Sequence, residues 1–132
     1  MLEISHLYKK YLNSERFAVE DLNLTLKEGE IFGFLGKNGA GKSTTIKCLT
    51  GIYPFSSGSI KICGYDIAKD PINAKLNMGY VPDDHSVYEK MTGGEYVNYI
   101  ADLYRVPKKD REERLYKFLE QFRLTKAVDL QI

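Results

Sequence analysis

The sequence contains no tryptophan, only two cysteines and only four prolines. Cys48 and Cys63 form neither a disulfide framework nor a closely spaced pair of metal ligands, which agrees with a reducing compartment. An excess of one charge is also missing. Lys and Arg together number 19 against 18 for Asp and Glu, a net charge of +1, so no long-range field draws the chain to nucleic acid or an anionic bilayer. No apolar run approaches the roughly 18 to 20 residues of a membrane-spanning helix, and Met1 to His6 lack the basic and apolar regions of a signal peptide. The chain is therefore expected to stay in the cytosol unless a partner holds it at a membrane. Internal repeats and low-complexity stretches are absent too. What is present, 43% apolar and 28% charged residues over 132 positions, is the balance of one globular domain with a modest core.

Periodicity and breakers predict strands first and helices later. Leu2, Ile4 and Leu7, then Val19, Leu22, Leu24 and Leu26, fall at mostly even spacings that suit half-buried strands, with an antiparallel pairing expected. Ile31-Phe32-Gly33-Phe34-Leu35 is apolar on both faces and predicts a strand in the middle of a covered, parallel sheet. A helix is predicted from Lys42 to about Leu49, stopped by Gly51, then a strand over Ser59–Cys63, a short helix over Pro71–Leu76 and a short strand over Met78–Val81. Thr92-Gly93-Gly94-Glu95 has capping-box spacing ahead of Val97, Ile100, Ala101 and Tyr104 on one helical face. Leu115, Phe118, Leu119 and Phe122 repeat that pattern after Pro107, giving a second amphipathic helix.

Between the doubly apolar run and the first helix lies Gly36-Lys37-Asn38-Gly39-Ala40-Gly41-Lys42-Ser43, which fits G-x-x-x-x-G-K-[ST]. Glycines let consecutive backbone N–H groups converge on an anion, and the following helix points its positive dipole end at the same place. Lys42 adds a mobile charge for the outer phosphates, and the Ser43 hydroxyl can ligate a Mg²⁺ that bridges them. Together they predict a triphosphate site.

Gly36 to Thr45, with Lys42, Ser43, Thr44 and Thr45 in sequence, closely resembles the Walker A segment of ABC-transporter ATP-binding subunits. Leu22–Ile31, Ser57-Gly58-Ser59-Ile60, Gly64-Tyr65-Asp66-Ile67 and Gly79-Tyr80-Val81-Pro82 are similar to further family segments in the same order. The resemblance implies an α/β, partial P-loop NTPase fold with an N-terminal antiparallel β region and the start of a helical subdomain. On this basis residues 1–90 are expected to form the β region and P-loop core, and residues 91–132 the start of the helical subdomain. It also implies ATP and Mg²⁺ as cofactors, bound through Gly36, Asn38, Gly39, Ala40, Gly41, Lys42, Ser43, Thr44 and Thr45. Tyr11 stands where the family places an aromatic residue that stacks on adenine, with Tyr8 as the fallback. The implied partners are a transmembrane permease subunit and a second ATP-binding subunit, at the cytoplasmic face of the membrane; nucleic acid is not among them.

The sequence departs from the family at two places. Gly79-Tyr80-Val81-Pro82 leads to the Q-loop, where the family has Gln and this chain has Asp83. A carboxylate can accept a hydrogen bond from water around the metal, but it is shorter than Gln and has no N–H to donate. Asp83 is therefore read as a variant metal and catalytic position alongside Lys42, with an exporter-like leaning. The 132 residues also contain no apolar run ending in Asp-Glu, no Leu-Ser-Gly-Gly-Gln signature and no switch histidine. Hydrolysis by this chain alone is not expected, and the chain is expected to be an N-terminal piece of a longer ATPase subunit. A nucleotide-binding regulatory module without turnover is the alternative. A GTPase or nucleoside kinase lacks support, since no Asn-Lys-x-Asp guanine reader is present.

Among smaller features, Cys48 and Cys63 are expected in the core, and His6, Asp84 and His85 at the surface. Lys108 to Arg114 reads as a solvated helix face with i, i+4 ion pairs. Tyr88, Met91, Tyr96 and Tyr99 are candidates for a membrane-partner contact or for core packing.

Overall fold

The computed structural model describes residues 1–82, 88 and 90–131. Asp83, Asp84 and His85 lie outside the described residues. The chain divides into two compact units, Met1–Val81 and Pro82–Ile132.

In the first unit, β1 (Leu2–Lys10), β2 (Phe17–Leu26), β3 (Ser57–Ile62) and β4 (Tyr65–Asp66) form one antiparallel sheet in the order β2-β1-β3-β4. Strand alternation alone does not account for its core, because Ile4 and Leu7 are both buried although they are three positions apart. The register of β1 against β2 shifts between these two residues, and His6 and Asp21 adopt φ of 47° and 44°. One extra residue in each strand restores the inward direction. The irregularity is clasped by polar contacts: His6 N donates to Asn23 Oδ1 (2.8 Å), and His6 Nδ1 lies 2.7 Å from Asp21 Oδ1. The hydrogen bond from His6 holds the exposed Asp21 carboxyl below the usual carboxylate range.

The helix α1 (Lys42–Leu49) and the short helix α2 (Pro71–Leu76) contribute Cys48 and Ala74 to the core of Ile4, Leu7, Val19, Ile60, Ile62 and Ile67. Asp70 caps α2, its side chain accepting from Asn73 N, and Pro71 begins it without losing a needed N–H. Burial pushes the Cys48 thiol pKa up, as befits a core residue.

Three expectations are corrected here. Ile31–Leu35 is not a strand; its backbone is irregular, with Ile31 and Leu35 almost wholly exposed. A doubly apolar strand needs a neighbour on each edge, and the sheet of the described residues ends at β2 and β4 without offering one. Met78–Val81 forms no strand for the same reason. Cys63 is exposed rather than core: it and Gly64 make the two-residue β3–β4 turn with φ of 49° and 85°, a connection that requires positive φ at both positions.

The second unit contains α3 (Gly93–Leu103) and α4 (Lys108–Gln121). The expected capping box is complete: Glu95 N donates to Thr92 Oγ1 (3.2 Å) and Thr92 N to Glu95 Oε2 (2.8 Å). Gly93 N and Gly94 N reach the Leu130 and Val128 carbonyls, so the end of the described chain packs on this helix start. Thr92→Ala should lower stability by about 1 kcal/mol in urea unfolding, with the loss read in helical circular dichroism.

The charged run is solvated except at Arg111, whose side chain is largely covered, and among the described residues its ion pair is not i, i+4 within α4. Arg111 turns back, donating to Asp102 Oδ1 (2.6 Å) and to the Val106 carbonyl (2.7 Å), and so ties α4 to the end of α3. No described residue of α3 or α4 is fully buried. Among the described residues no helix is long and apolar enough to cross a membrane.

Candidate functional site

The glycine-rich loop closes on itself before α1 begins. Ala40 N donates to the Lys37 carbonyl (3.1 Å), and the Gly41 carbonyl then receives both Thr45 N (2.8 Å) and Thr45 Oγ1 (2.9 Å). Gly41 is the N-cap of α1 with φ of 86°, and a Cβ there would lie 2.2 Å from the Ala18 carbonyl oxygen of β2. Only glycine lets the loop sit against the strand in this way. No side chain caps α1, and its first turn holds no acidic residue. Helix geometry leaves the Lys42, Ser43 and Thr44 amides without intrahelical carbonyls, at the positive end of the helix dipole. These are the donors and the field an anion needs, with no carboxylate in the first turn to compete for them.

The Lys42 ammonium folds back across the loop, donating to the Gly36 carbonyl and to the Lys37 carbonyl (2.9 Å). Two of its three N–H donors are engaged with the loop and the third remains. Asn38, Gly39, Ala40 and Ser43 are exposed around it, Thr44 is half-buried, and Thr45 is buried. The donor set fits a polyphosphate. The exposed Ser43 hydroxyl can supply the oxygen ligand for a Mg²⁺ held jointly with phosphate, because such an ion keeps most of its waters and asks the protein for few ligands. No cluster of three or more His, Cys, Asp or Glu residues that could hold a metal by itself occurs among the described residues.

Tyr11, thirty-three positions before Thr44 in the chain, is brought to the loop by β1. Its hydroxyl lies 3.0 Å from Thr44 Oγ1, and 39% of the residue remains exposed. Tyr8, by contrast, is engaged edge-on with Phe17 across the β1–β2 pair, at 5.5 Å between centroids. Two residues that no motif marked also belong to this corner. Tyr53 meets Tyr11 edge to face at 6.1 Å, and Lys9 Nζ lies over both rings at 5.2 and 5.9 Å. The only sequence cue to Tyr53 was its position just after the predicted helix stop.

A loop of this form between a sheet and an uncapped helix defines a P-loop nucleotide-binding domain. Comparison with known proteins narrows the class. The family described as ABC transporter matches residues 19–132. The linearmycin resistance ATP-binding protein LnrL of Bacillus subtilis is 36% identical over 125 residues, covering 95% of this chain and 40% of that protein. SkfE of the same organism, the SkfA peptide export ATP-binding protein, is 37% identical over 124 residues, covering 94% and 50%. A solved ATP-binding subunit of an ABC transporter superposes with a TM-score of 0.92 at 32% identity, covering 99% of this chain and 54% of that one. The chain belongs to the ABC transporter family, with the fold of part of its ATP-binding subunit. It spans half or less of the two Bacillus relatives and about half of the solved subunit.

Proposed function

We propose that this chain binds Mg²⁺-ATP at residues 36–45 as part of an ABC transporter ATPase, coupling nucleotide binding and hydrolysis to movement of a solute by a membrane permease. The observation that carries this reading is the convergence on one spot of three free helix-start amides, the Lys42 ammonium and the Tyr11 ring. Bound ATP supplies a phosphoanhydride whose hydrolysis releases the free energy for coupling. The protein's part is to hold and orient it. The amides of Gly39 and of Gly41 to Thr44, with Lys42 Nζ, take the phosphate oxygens, the Ser43 hydroxyl takes the metal, and Tyr11 offers its ring to the base. Asp83 is assigned to the metal and to catalysis from its sequence position after Pro82 alone.

In the whole protein, two such subunits close around two nucleotides, each completing the other's site, at the cytoplasmic face of the membrane. The names of the two Bacillus relatives, one for SkfA peptide export and one for linearmycin resistance, support export as the direction. The competing reading is nucleotide binding without turnover. Phosphate release in a single turnover of the full-length gene product separates the two.

Calorimetric titration with Mg²⁺-ATP tests the site itself, and absence of binding by folded protein removes the assignment. Tyr11→Ala should weaken ATP about 10-fold or more and leave tripolyphosphate unchanged, since only ATP carries a base to stack. Equal losses for both ligands would place the base elsewhere.

A further inference from the structure

Tyr11 is not a ring standing free at the end of a strand. Its hydroxyl is tied to Thr44 Oγ1, Tyr53 abuts it at 86° between planes, and the Lys9 ammonium lies over it. Lys9 is itself fixed, donating to the Pro54 carbonyl at 2.6 Å, while Lys47 Nζ lies over the Tyr53 ring at 5.2 Å. The loop that follows α1 thus holds Lys9 and Tyr53, and those two hold Tyr11. Tyr53 is partly buried and packs against the margin of the core. Its one ring neighbour among the described aromatic contacts is Tyr11.

An exposed aromatic side chain that stacks on a ligand loses rotamer freedom when it does so, and a ring already held in place loses less. We propose that Tyr53 and Lys9 are positioning residues that pre-order the Tyr11 ring, so that the site prefers a base-bearing nucleoside triphosphate to a bare polyphosphate. The proposal rests on the reading of Tyr11 as the base platform. Neither Tyr53 nor Lys9 touches the ligand in this scheme; both act through the Tyr11 ring.

The test is calorimetry of ATP and of tripolyphosphate against the 132-residue chain and three variants. Tyr53→Leu keeps an apolar side chain but loses the ring; it should weaken ATP about 3- to 10-fold and leave tripolyphosphate unchanged. Tyr53→Phe keeps the ring and should bind both ligands as the parent does. Lys9→Met should weaken ATP about 2- to 5-fold, again without effect on tripolyphosphate, and it carries the test if Tyr53→Leu melts below the working temperature. ATP affinity unchanged in both Tyr53→Leu and Lys9→Met, or equal losses for the two ligands, overturns the proposal. If Tyr11→Ala itself shows no ATP-selective loss, the base platform fails first, and that outcome is distinct from a failure of the brace alone.

Discussion

Lys42→Ala should reduce triphosphate affinity about 100-fold or more while leaving the melting temperature within a few degrees of the parent. The ammonium is the only side-chain cation hydrogen-bonded to the loop among the described contacts, through the Gly36 and Lys37 carbonyls. Charge-assisted hydrogen bonds to phosphate are roughly twice as strong as neutral ones, and several are lost together. Both carbonyls belong to exposed residues, so water takes over from the missing ammonium and the fold bears little cost. Calorimetry with ATP and with tripolyphosphate should show the same loss, because Lys42 is assigned to phosphate and not to the base. Unchanged affinity for either ligand would remove the site from this loop.

Gly41→Ala should be the most damaging single methyl group in the phosphate loop. A Cβ at this position meets the Ala18 carbonyl oxygen at 2.2 Å, with φ at 86°. The backbone strain and the displacement of a strand carbonyl together cost about 2–4 kcal/mol, lowering the melting temperature by roughly 10 °C or more. Gly39→Ala is the control. Gly39 has nearly the same φ, 82°, but an added Cβ meets nothing within 4 Å, so only the strain of about 1 kcal/mol remains. Thermal unfolding of the two variants separates steric contact with β2 from backbone strain; equal shifts would mean that the loop does not rest on the strand.

The contrast between these glycines also shows what the sequence could and could not reveal. Spacing alone identified the loop, the helix from Lys42 to Leu49, the helix from Pro71 to Leu76 and the Thr92–Glu95 capping box, because each depends on chemistry within a few residues. The motif fixes Gly41 and leaves Gly39 open, but it does not say why glycine is needed there; the approach of Ala18 from another strand does. Ile31–Leu35 misled for a related reason. Its composition reports that both faces prefer burial, but a strand forms only where a neighbour supplies hydrogen bonds, and the described sheet supplies none. Tyr53 and Lys9 were invisible because their roles arise from contacts 42 and 44 positions apart in the chain, with Tyr11 and Tyr53 respectively.

The kink shared by His6 and Asp21 reaches further than the core it serves. A pleated ribbon presents odd and even positions to opposite sides, and the additional residue inverts that parity for everything downstream. Ile4 faces inward as an even position and Leu7 as an odd one, so Lys9 inherits the inner side and can reach Pro54 and the two tyrosines. Shortening the ribbon by that one residue would send Lys9 to the far side. The geometry beside the glycine-rich loop is thus set half a strand away, by an arithmetic of one.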